Sequence, residues 1–421
     1  MIGWKTGMKR LGRPLVAMLG AVLLLPVASA QDTIRIAYID PLSGPFANVG
    51  DAGLRHFRYK AEQINKQGGI LGKKVEIVPF DNKTSAQESL VILRQVADQG
   101  ISYITQGNGS NVAGALVGAL EKYNRRNDNK ILYLNYAAVD PTLTEDQCSF
   151  WHFRFDANSE MKLESLTEYM ARSDDIQKIF LINMDYAHGH QIQKITRRLM
   201  SQKAPSKQIV GDVLHPIGKV KDFSPYIAQI RSSGADTVLT GNWGNDLSLL
   251  VRAAADAGLN VRFYTYYGGG LGTPAALGAA GEGRVYQITE YHRNLPLEKN
   301  KPEVYDFVLP FDEANGAIDW YYGRINTQMD MLKAAMEKAN STDPTAVAFA
   351  LEGMRLQTPY GEVEMRAIDH QLLQPLFISV FTKDVEYDSE STGLGWKTVA
   401  EFSAEETATP TNCQMQRPKR G

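Results

Sequence analysis

A segment of small and polar residues has the composition of an anion-binding loop. Asn108, Gly109, Ser110 and Asn111 stand between an apolar run that ends at Thr105 and a helical pattern. Glycine lets the backbone approach a ligand closely, Ser110 or Asn111 can cap the helix, and the free amides of a helix start attract negative charge. The same residues also fit an ordinary capped turn between a strand and a helix, so the residues alone leave both interpretations open.

Motifs for catalysis are weak in this sequence. His188 and His190 lack a Cys or acidic residue in a known metal-ligand pattern, so they do not predict a metal site. The glycines Gly268–Gly270 and Gly272 lack the last glycine of a dinucleotide-binding motif. The nucleophile elbow Gly-x-Ser-x-Gly does not occur. We therefore expect a protein that is not an enzyme and that uses no metal or cofactor.

The charge balance excludes some classes of partner. The chain has 45 basic and 47 acidic residues and a net charge of −2, which gives no electrostatic reason to bind nucleic acid or a membrane surface. Hydrophobic residues make up 43% of the chain, which is enough for more than one core. At roughly 100–200 residues per domain, the length predicts two lobes.

The N-terminus has the order of a secretory signal. Basic residues between Lys5 and Arg13 precede the apolar run Leu15–Val27, and small residues end at Ala30. The apolar run is shorter than the roughly 20 residues that span a bilayer. We expect residues 1–30 to be removed as a signal peptide, and we expect the mature protein to be periplasmic and not inserted in a membrane.

The chain contains two cysteines, Cys148 and Cys413, both beyond the signal. Because disulfides persist in exported proteins, we predict that these two residues pair and tie the C-terminal tail to the middle of the chain. Two unpaired, buried thiols are the alternative.

Strand and helix patterns alternate along the chain, which is typical of an α/β fold with parallel sheets and right-handed crossovers. A change near 150–158 separates two series of such units, so we expect two doubly wound lobes that are joined by a hinge of three crossovers. The long helical pattern 315–339 follows, and Tyr360–Met365 with Phe377–Val385 resembles an antiparallel pair. The polar tail should be loosely ordered apart from Cys413. The expected organisation is an N-terminal lobe of 31–153 plus 289–361, a C-terminal lobe of 154–288 plus 362–400, and a tail of 401–421. The predicted strands are Ile34–Ile39, Val75–Phe80, Ile101–Thr105, Ile131–Leu134, Ile179–Asn183, Thr237–Leu239, Phe263–Thr265 and Val285–Glu290.

Several motifs spread over the mature chain carry a family resemblance. They are Asp40–Pro45, Gly50-Asp51, Ile64–Gly72, Val75–Asp81, Asp140–Thr144 and Asp222–Ile227. In these motifs the chain resembles the leucine-binding and branched-chain amino-acid-binding proteins of ABC transporters. The resemblance implies a type I periplasmic-binding-protein fold that closes around a small ligand and is recognised by membrane permease subunits. We expect a monomer.

The resemblance also implies which residues contact the ligand. Segment 108–111 corresponds to the segment with which the family binds a ligand carboxylate, and Val49 and Ala138 are expected beside it. Val139 stands where the amino-acid receptors have a Thr, and Tyr267 stands where they have a Glu that pairs with the ligand's ammonium. A buried ammonium without a carboxylate partner costs several kcal/mol, on the order of the penalty for an unpaired buried charge. The substitutions therefore predict a ligand without an amine.

His188 and Trp243 align with aromatic residues that wall the family's cleft. With Tyr136, Tyr267 and Tyr321 they would form an aromatic-lined pocket, although a ring of this kind taken alone is more often part of an ordinary core. The predicted ligand is an aromatic or other apolar monocarboxylate. The alternatives are a branched-chain amino-acid receptor, an amide or urea receptor, a sensor of the same fold and a secreted hydrolase.

Overall fold

The structure, a computed structural model, describes residues 1–4, 7, 33–270, 272–316 and 318–420. Apart from residues 1–4 and 7, the predicted signal peptide lies outside the described residues. Among the described residues, no helix is both long and apolar enough to cross a bilayer.

The first sheet has five parallel strands in the order β2-β1-β3-β4-β5. Its inner strands β3 and β4 are buried along their whole length, because helices cover both faces of a parallel sheet. The strands are β1 (Ile34–Asp40), β2 (Val75–Asp81), β3 (Tyr103–Gln106), β4 (Leu132–Asn135) and β5 (His152–Arg154).

The second sheet has seven strands in the order β15-β14-β10-β9-β8-β6-β7. Strands β6 to β10 run parallel, and β14 and β15 add an antiparallel edge. The strands are β6 (Lys178–Met184), β7 (Gln208–His215), β8 (Thr237–Thr240), β9 (Arg262–Thr265), β10 (Val285–Thr289), β14 (Leu376–Thr382) and β15 (Gly395–Phe402). A small antiparallel sheet contains β11 (Arg355–Thr358), β12 (Gly361–Met365) and β13 (Leu372–Leu373).

The helices pack on both faces of the two large sheets. Helices α1, α11 and α12 form one apolar core with the first sheet, and α2 and α3 form a second on its other face. The helices are α1 (Ala47–Lys66), α2 (Ala86–Asp98), α3 (Ser110–Arg126), α4 (Ser159–Arg172), α5 (Ala187–Lys203), α6 (Ser224–Ser233), α7 (Gly244–Asp256), α8 (Thr273–Leu277), α9 (Leu295–Glu298), α10 (Tyr305–Asn315), α11 (Gly323–Ala339), α12 (Pro344–Leu351) and α13 (Ala404–Thr407).

The chain passes between the two large sheets in three segments, 155–158, 290–322 and 374–375. The first leads from β5 to α4, whose apolar side chains belong to a core of the second sheet. The second leads from β10 back to α11 on the first sheet, and the third leads from β13 to β14. The first and third segments are linked, because the Gln374 side-chain amide donates to the Phe155 carbonyl (3.2 Å). The α/β class and the three crossings agree with the prediction.

Each predicted strand that belongs to the parallel part of one of the two large sheets begins and ends within two residues of its observed position. The predicted pairing of 360–365 with 377–385 is wrong. Strand β12 pairs with β11 and β13, whereas β14 pairs with β10 and β15. The two segments therefore lie in different sheets. Hydrophobic patterns locate strands but do not determine partners at an antiparallel edge.

The helix predicted over 315–339 ends where it was predicted to end, at Ala339, but its predicted start is wrong. Helix α10 ends at Asn315, the chain turns through Gly316 (φ 66°), and α11 begins at Gly323. The Trp320 amide donates to the Asp312 carboxylate (2.7 Å), which holds the intervening turn. The break places Tyr321 and Tyr322 on the second crossing.

The tail is ordered, contrary to the prediction. A capping box formed by Ser403 and Glu406 begins α13, and the predicted disulfide joins Cys148 to Cys413 with a Cα separation of 5.8 Å. Beyond it, the Arg417 guanidinium donates to Glu352 (2.6 Å). Polar composition alone therefore misled the prediction, because covalent and charged contacts fix the tail.

Candidate functional site

A cavity with an empty volume of about 510 Å³ lies between the two large sheets, where loops leave the carboxyl ends of their strands. Such edges are the usual ligand positions of open parallel sheets. Loops of the first sheet and the second crossing supply Val49, Gly107, Asn108, Gly109, Ser110, Ala137, Ala138, Val139, Tyr321, Tyr322 and Arg324. Loops of the second sheet supply Tyr186, His188, Trp243, Gly244, Tyr267 and Gly270.

Two of the predicted ligand contacts do not line the cavity. Asn111 is exposed in the first turn of α3, and Tyr136 is fully buried below the cavity floor. The others are brought together as the sequence predicts: Val49, Asn108, Gly109, Ser110, Ala138, Val139, His188, Trp243, Tyr267 and Tyr321.

Tyr136 positions the anion-binding loop from beneath. Its hydroxyl donates to the Asp40 carboxylate (2.8 Å) and accepts from the Asn108 side-chain amide (3.0 Å). Asp40 also accepts from the backbone amides of Asn108 (2.9 Å) and Gly107 (3.3 Å). Burial raises the pKa of Asp40 to about 6, although these hydrogen bonds oppose the shift. The network fixes the direction in which the start of α3 faces.

Helix α3 begins at the cavity without a side-chain cap. Its N-cap residue is Gly109, whose φ of 98° is accessible mainly to glycine. No side chain in the described part of the chain caps the first turn, so the amides from Ser110 onward keep the unpaired donors of a helix start. Together with the positive end of the helix dipole, these amides form a site for an anionic group.

Trp243 closes the cavity from the opposite side. Its ring lies 4.2 Å from that of Phe46, measured between centroids, and its indole nitrogen donates to the Tyr186 hydroxyl (2.8 Å). Phe46 and Val49 belong to the first half of the molecule, and Trp243 and Met184 belong to the second. The two halves are therefore in contact across the cavity, which corresponds to a closed arrangement.

A buried cluster of four charges lies at the end of the cavity beside the second crossing. Lys162 Nζ is 2.8 Å from Asp156 Oδ1, and Arg324 Nη1 donates to both oxygens of Glu290 (2.8 and 3.0 Å). Arg324 Nε lies 3.5 Å from Asp156 Oδ2, which connects the two pairs. Burial lowers the pKa of Lys162, with Asp156 opposing the shift. Two positive and two negative side chains thus balance one another.

Tyr267 connects this cluster to the cavity. Its hydroxyl donates to Asp156 Oδ2 (2.9 Å), and the Lys162 ammonium lies 4.5 Å from its ring centroid. The residue that replaces the expected Glu therefore presents a ring to the cavity and directs its polar end to an acid. That acid is already neutralised by two cations from the chain itself.

Unpaired polar atoms identify the part of the cavity that a ligand would satisfy. The buried Tyr321 hydroxyl has no hydrogen-bond partner among the described residues. Arg324, which also lines the cavity, uses Nη1 and its backbone amide for Glu290, whereas its buried Nε makes no hydrogen bond to the described part of the chain. An occupant with an accepting oxygen at this end would pair with both groups.

His188 is a neutral wall of the cavity. Burial lowers its pKa to about 4, and nearby Lys162 reinforces the shift. Its Nδ1 pairs with the Ser159 hydroxyl (3.1 Å), whereas His190 pairs with Asp185 (2.9 Å) outside the cavity. Within the part of the chain that the structure describes, no group of three or more His, Cys, Asp and Glu side chains could hold a metal ion.

The sequence interpretation missed Arg324 and Lys162. A signal was present for each, because Lys162 stands four and eight residues before the apolar Leu166 and Met170, and Arg324 stands eight residues before Leu332. Charged residues at this helical spacing lie on the buried face of their helix. A charge on a buried face requires a partner, which makes such a residue a candidate site residue.

Comparisons with known proteins agree with this geometry. A family profile described as periplasmic binding protein matches residues 33–385. The Leu/Ile/Val-binding protein homolog 4 of Brucella abortus is 30% identical over 402 residues, which cover 93% of this chain and 94% of that protein. The leucine-, isoleucine-, valine-, threonine-, and alanine-binding protein of Pseudomonas aeruginosa is 26% identical over 360 residues, covering 85% of this chain and 92% of that protein.

Solved structures are similar over most of the chain. The leucine-, isoleucine-, valine-, threonine-, and alanine-binding protein from Brucella ovis, in a closed conformation, has a TM-score of 0.82 at 29% identity, covering 92% of this chain and 100% of that chain. A solute-binding protein of an ABC transporter from R. palustris, in complex with benzoate, has a TM-score of 0.75 at 17% identity. That match covers 88% of this chain and 96% of the other, and at this identity it concerns the fold alone.

Proposed function

The chain belongs to the periplasmic binding protein family, so it is a solute-binding receptor of an ABC transporter and not an enzyme, and we propose that its ligand is an aromatic carboxylate. Its two parallel-strand sheets joined by three crossings form the type I fold of this family. The observation that carries the ligand proposal is the pairing of Lys162 with Asp156, which neutralises the acid that contacts Tyr267 of the cavity wall.

This pairing argues against an amino acid as ligand. A ligand ammonium would need a carboxylate that is free to pair with it, and Asp156 already contacts Lys162 and Tyr267. Burying an ammonium without such a partner costs several kcal/mol, on the order of the penalty for breaking a buried ion pair. Val139 supports the same conclusion, since it presents an alkyl surface where a hydroxyl would accept from an ammonium.

The walls favour a flat ring with one negative end. The carboxylate would accept from the uncapped amides of α3 at Ser110, where the helix dipole also favours negative charge. The ring would lie between Trp243 and Tyr267, whose aromatic faces suit stacked or edge contacts.

The far end of the ligand would carry a neutral accepting oxygen, such as a ring hydroxyl. Tyr321 and Arg324 supply unpaired donors there. A second carboxylate is a poorer fit, because the positive charges of Arg324 and Lys162 are already balanced by Glu290 and Asp156. One solved relative of the same fold, at 20% identity, is a complex with p-hydroxybenzoic acid, which has this chemistry.

Transport would follow from closure. Contacts from both halves of the molecule exist together only when the cavity is closed, so ligand binding shifts the hinge equilibrium toward that form. In this proposal residues 1–30 direct export, the mature monomer works in the periplasm, and ABC permease subunits recognise its closed form. The lobes would comprise 31–153 plus 289–361 and 154–288 plus 362–400.

A thermal-shift series on the mature protein tests the ligand class. We expect benzoate and 4-hydroxybenzoate to raise the melting temperature, with 4-hydroxybenzoate the stronger, because bound ligand stabilises the folded state by mass action. Leucine, isoleucine and valine should have no effect. Stabilisation by leucine together with no response to the benzoates would overturn the proposal.

A branched-chain amino-acid receptor is the second candidate. The names of the relatives in Brucella and Pseudomonas support it, as does the position of Asp156 close to the cavity. An amino-acid ligand would have to displace Lys162 from Asp156. Mass spectrometry of the small molecule that co-purifies with the protein separates the two candidates directly.

A further inference from the structure

We call the cavity of the candidate functional site the ligand cavity. A second cavity, with an empty volume of about 950 Å³, lies outside it and is lined by residues of the second and third crossings and of the small antiparallel sheet. Its walls include Glu290 and Tyr291 at the start of the second crossing, Trp320 near its end, and Gln374 and Pro375 of the third. Strands β11 and β12 cover the remaining side. We call it the hinge cavity, because its occupant would contact two of the three segments that must flex when the molecule opens.

Residues of the hinge-cavity wall carry buried polar atoms that lack partners. The hydroxyls of Tyr291 and Tyr360 and the side-chain oxygen of Asn326 make no hydrogen bond within the described ranges. Solvent does not reach these atoms in this structure, so an occupant pairs with them only when the wall side chains rotate toward it. An unpaired buried polar group costs roughly 1–3 kcal/mol, which an occupant with matching groups recovers. Two hydroxyls and an amide oxygen can pair with both an acceptor and a donor.

Aromatic rings form the apolar part of the wall. The rings of Tyr291 and Tyr360 lie 5.8 Å apart and those of Phe307 and Trp320 lie 4.8 Å apart, measured between centroids. Leu356 extends this surface from β11. Such walls favour a flat, largely apolar body.

The charged residues of the wall are already paired. Lys60 Nζ is 2.7 Å from Asp330, and Glu290 holds Arg324 at 2.8 Å. A charged occupant would therefore find no opposite charge free to receive it. The cavity is accessible, since Gln357 and Pro359 at its border are exposed.

We propose that the hinge cavity is a second small-molecule site, which takes an uncharged aromatic compound with a hydroxyl or amide group. This site is separate from the ligand cavity, although Glu290 contributes to its wall and pairs with Arg324 of the ligand cavity. It does not depend on which solute the ligand cavity binds.

Calorimetric titration with p-cresol and with benzamide tests the proposal on three proteins. The variant Trp243→Ala opens the ligand cavity, and Leu356→Trp fills the hinge cavity from a half-buried strand position. We expect p-cresol to bind the wild type and Trp243→Ala within twofold of the same affinity, and Leu356→Trp to lose this binding. Thermal unfolding of each variant verifies that it is folded.

Two controls separate the chemistry from simple cavity filling. Toluene, which has the shape of p-cresol without the hydroxyl, should bind at least roughly fivefold more weakly, and Tyr291→Phe should weaken p-cresol binding by roughly three- to tenfold through the lost hydrogen bond. Failure of both p-cresol and benzamide to bind at millimolar concentration would mean that the cavity holds water only, which overturns the proposal. Unchanged p-cresol binding in Leu356→Trp, or its loss in Trp243→Ala, would also overturn the proposal, because p-cresol would then bind outside the hinge cavity.

Discussion

Lys162 Nζ lies 2.8 Å from Asp156 Oδ1, and neither side chain is exposed to solvent. Asp156 lies on the first crossing, and Lys162 lies on α4, directly after it. A buried pair of this kind contributes little net stability compared with an apolar substitute, but the loss of one partner leaves a charge without compensation. The pair therefore constrains both the hinge and the charge of the cavity.

Replacing one member of this pair should destabilise the protein. We expect Lys162→Met to lower the free energy of unfolding by about 3 kcal/mol, because Asp156 then keeps the Tyr267 hydrogen bond but, among the described residues, only the more distant cation of Arg324. Urea denaturation of the wild type and the variant measures the loss, and equal free energies of unfolding in the two proteins would contradict the argument.

Trp243→Ala should weaken ligand binding by about 2 kcal/mol, or roughly 30-fold, while the protein stays folded. The indole ring lines the ligand cavity and also packs on Phe46 across it, so its removal affects both the ligand contact and closure. Trp243→Phe is the matched control, because it keeps a ring there and should lose less than half as much. Titration with the ligand identified by mass spectrometry makes the comparison, and an unchanged affinity in Trp243→Ala would exclude Trp243 from the site.

Much of the cavity was predictable because strand ends have sequence signals. Gly109, Ser110 and Trp243 stand within five residues of the ends of predicted strands, and the family resemblance assigns these positions to a cleft. Such loops lie at a sheet edge whatever the details of packing. Ordinary periodicity and a few motifs were therefore sufficient for the fold class and for most of the cavity wall.

The remaining features depend on packing between distant segments. The sequence does not reveal that Tyr136 lies below the cavity, since its position follows from hydrogen bonds to Asp40 and Asn108. The position of Arg324 follows from the break between α10 and α11, which the continuous helical pattern conceals. Tertiary contacts of this kind override local propensity.

The disulfide should contribute to stability without affecting the ligand. Cys148 and Cys413 are 265 residues apart in sequence, and closing so long a loop is worth about 3–5 kcal/mol in the chain-entropy description. We expect Cys148→Ser with Cys413→Ser to lose stability on this scale and to keep its ligand affinity, because neither residue lines the cavity. Denaturation with and without reductant is the measurement, with the double variant as the control that should not respond to reductant. Titration of the unfolded, unreduced wild type should find no free thiol, and two free thiols would contradict the pairing.

Asp40 should make stability depend on pH in the opposite sense to a surface-paired acid. Burial raises its pKa in the folded protein from 3.8 to about 6, so the folded state binds a proton more tightly than the unfolded state does. The stability contribution of protonation is therefore fully present below about pH 4 and is lost as the pH rises through about 6. At 1.36 kcal/mol per pKa unit, the shift corresponds to about 3 kcal/mol.

Asp40→Asn removes this titration and keeps a side-chain oxygen that accepts from the Asn108 amide. Other groups titrate alike in both proteins, so the difference between their free energies of unfolding isolates Asp40. As the pH falls from 7 to 4, we expect the free energy of unfolding of the wild type to rise relative to that of the variant by up to about 3 kcal/mol. Most of this change should occur between about pH 6.5 and 4.5. Urea denaturation at intervals over this range measures the difference. A difference that stays constant with pH would mean that the Asp40 carboxylate has an ordinary pKa, and that the loop at Gly107 and Asn108 is held without the strain of a buried charge.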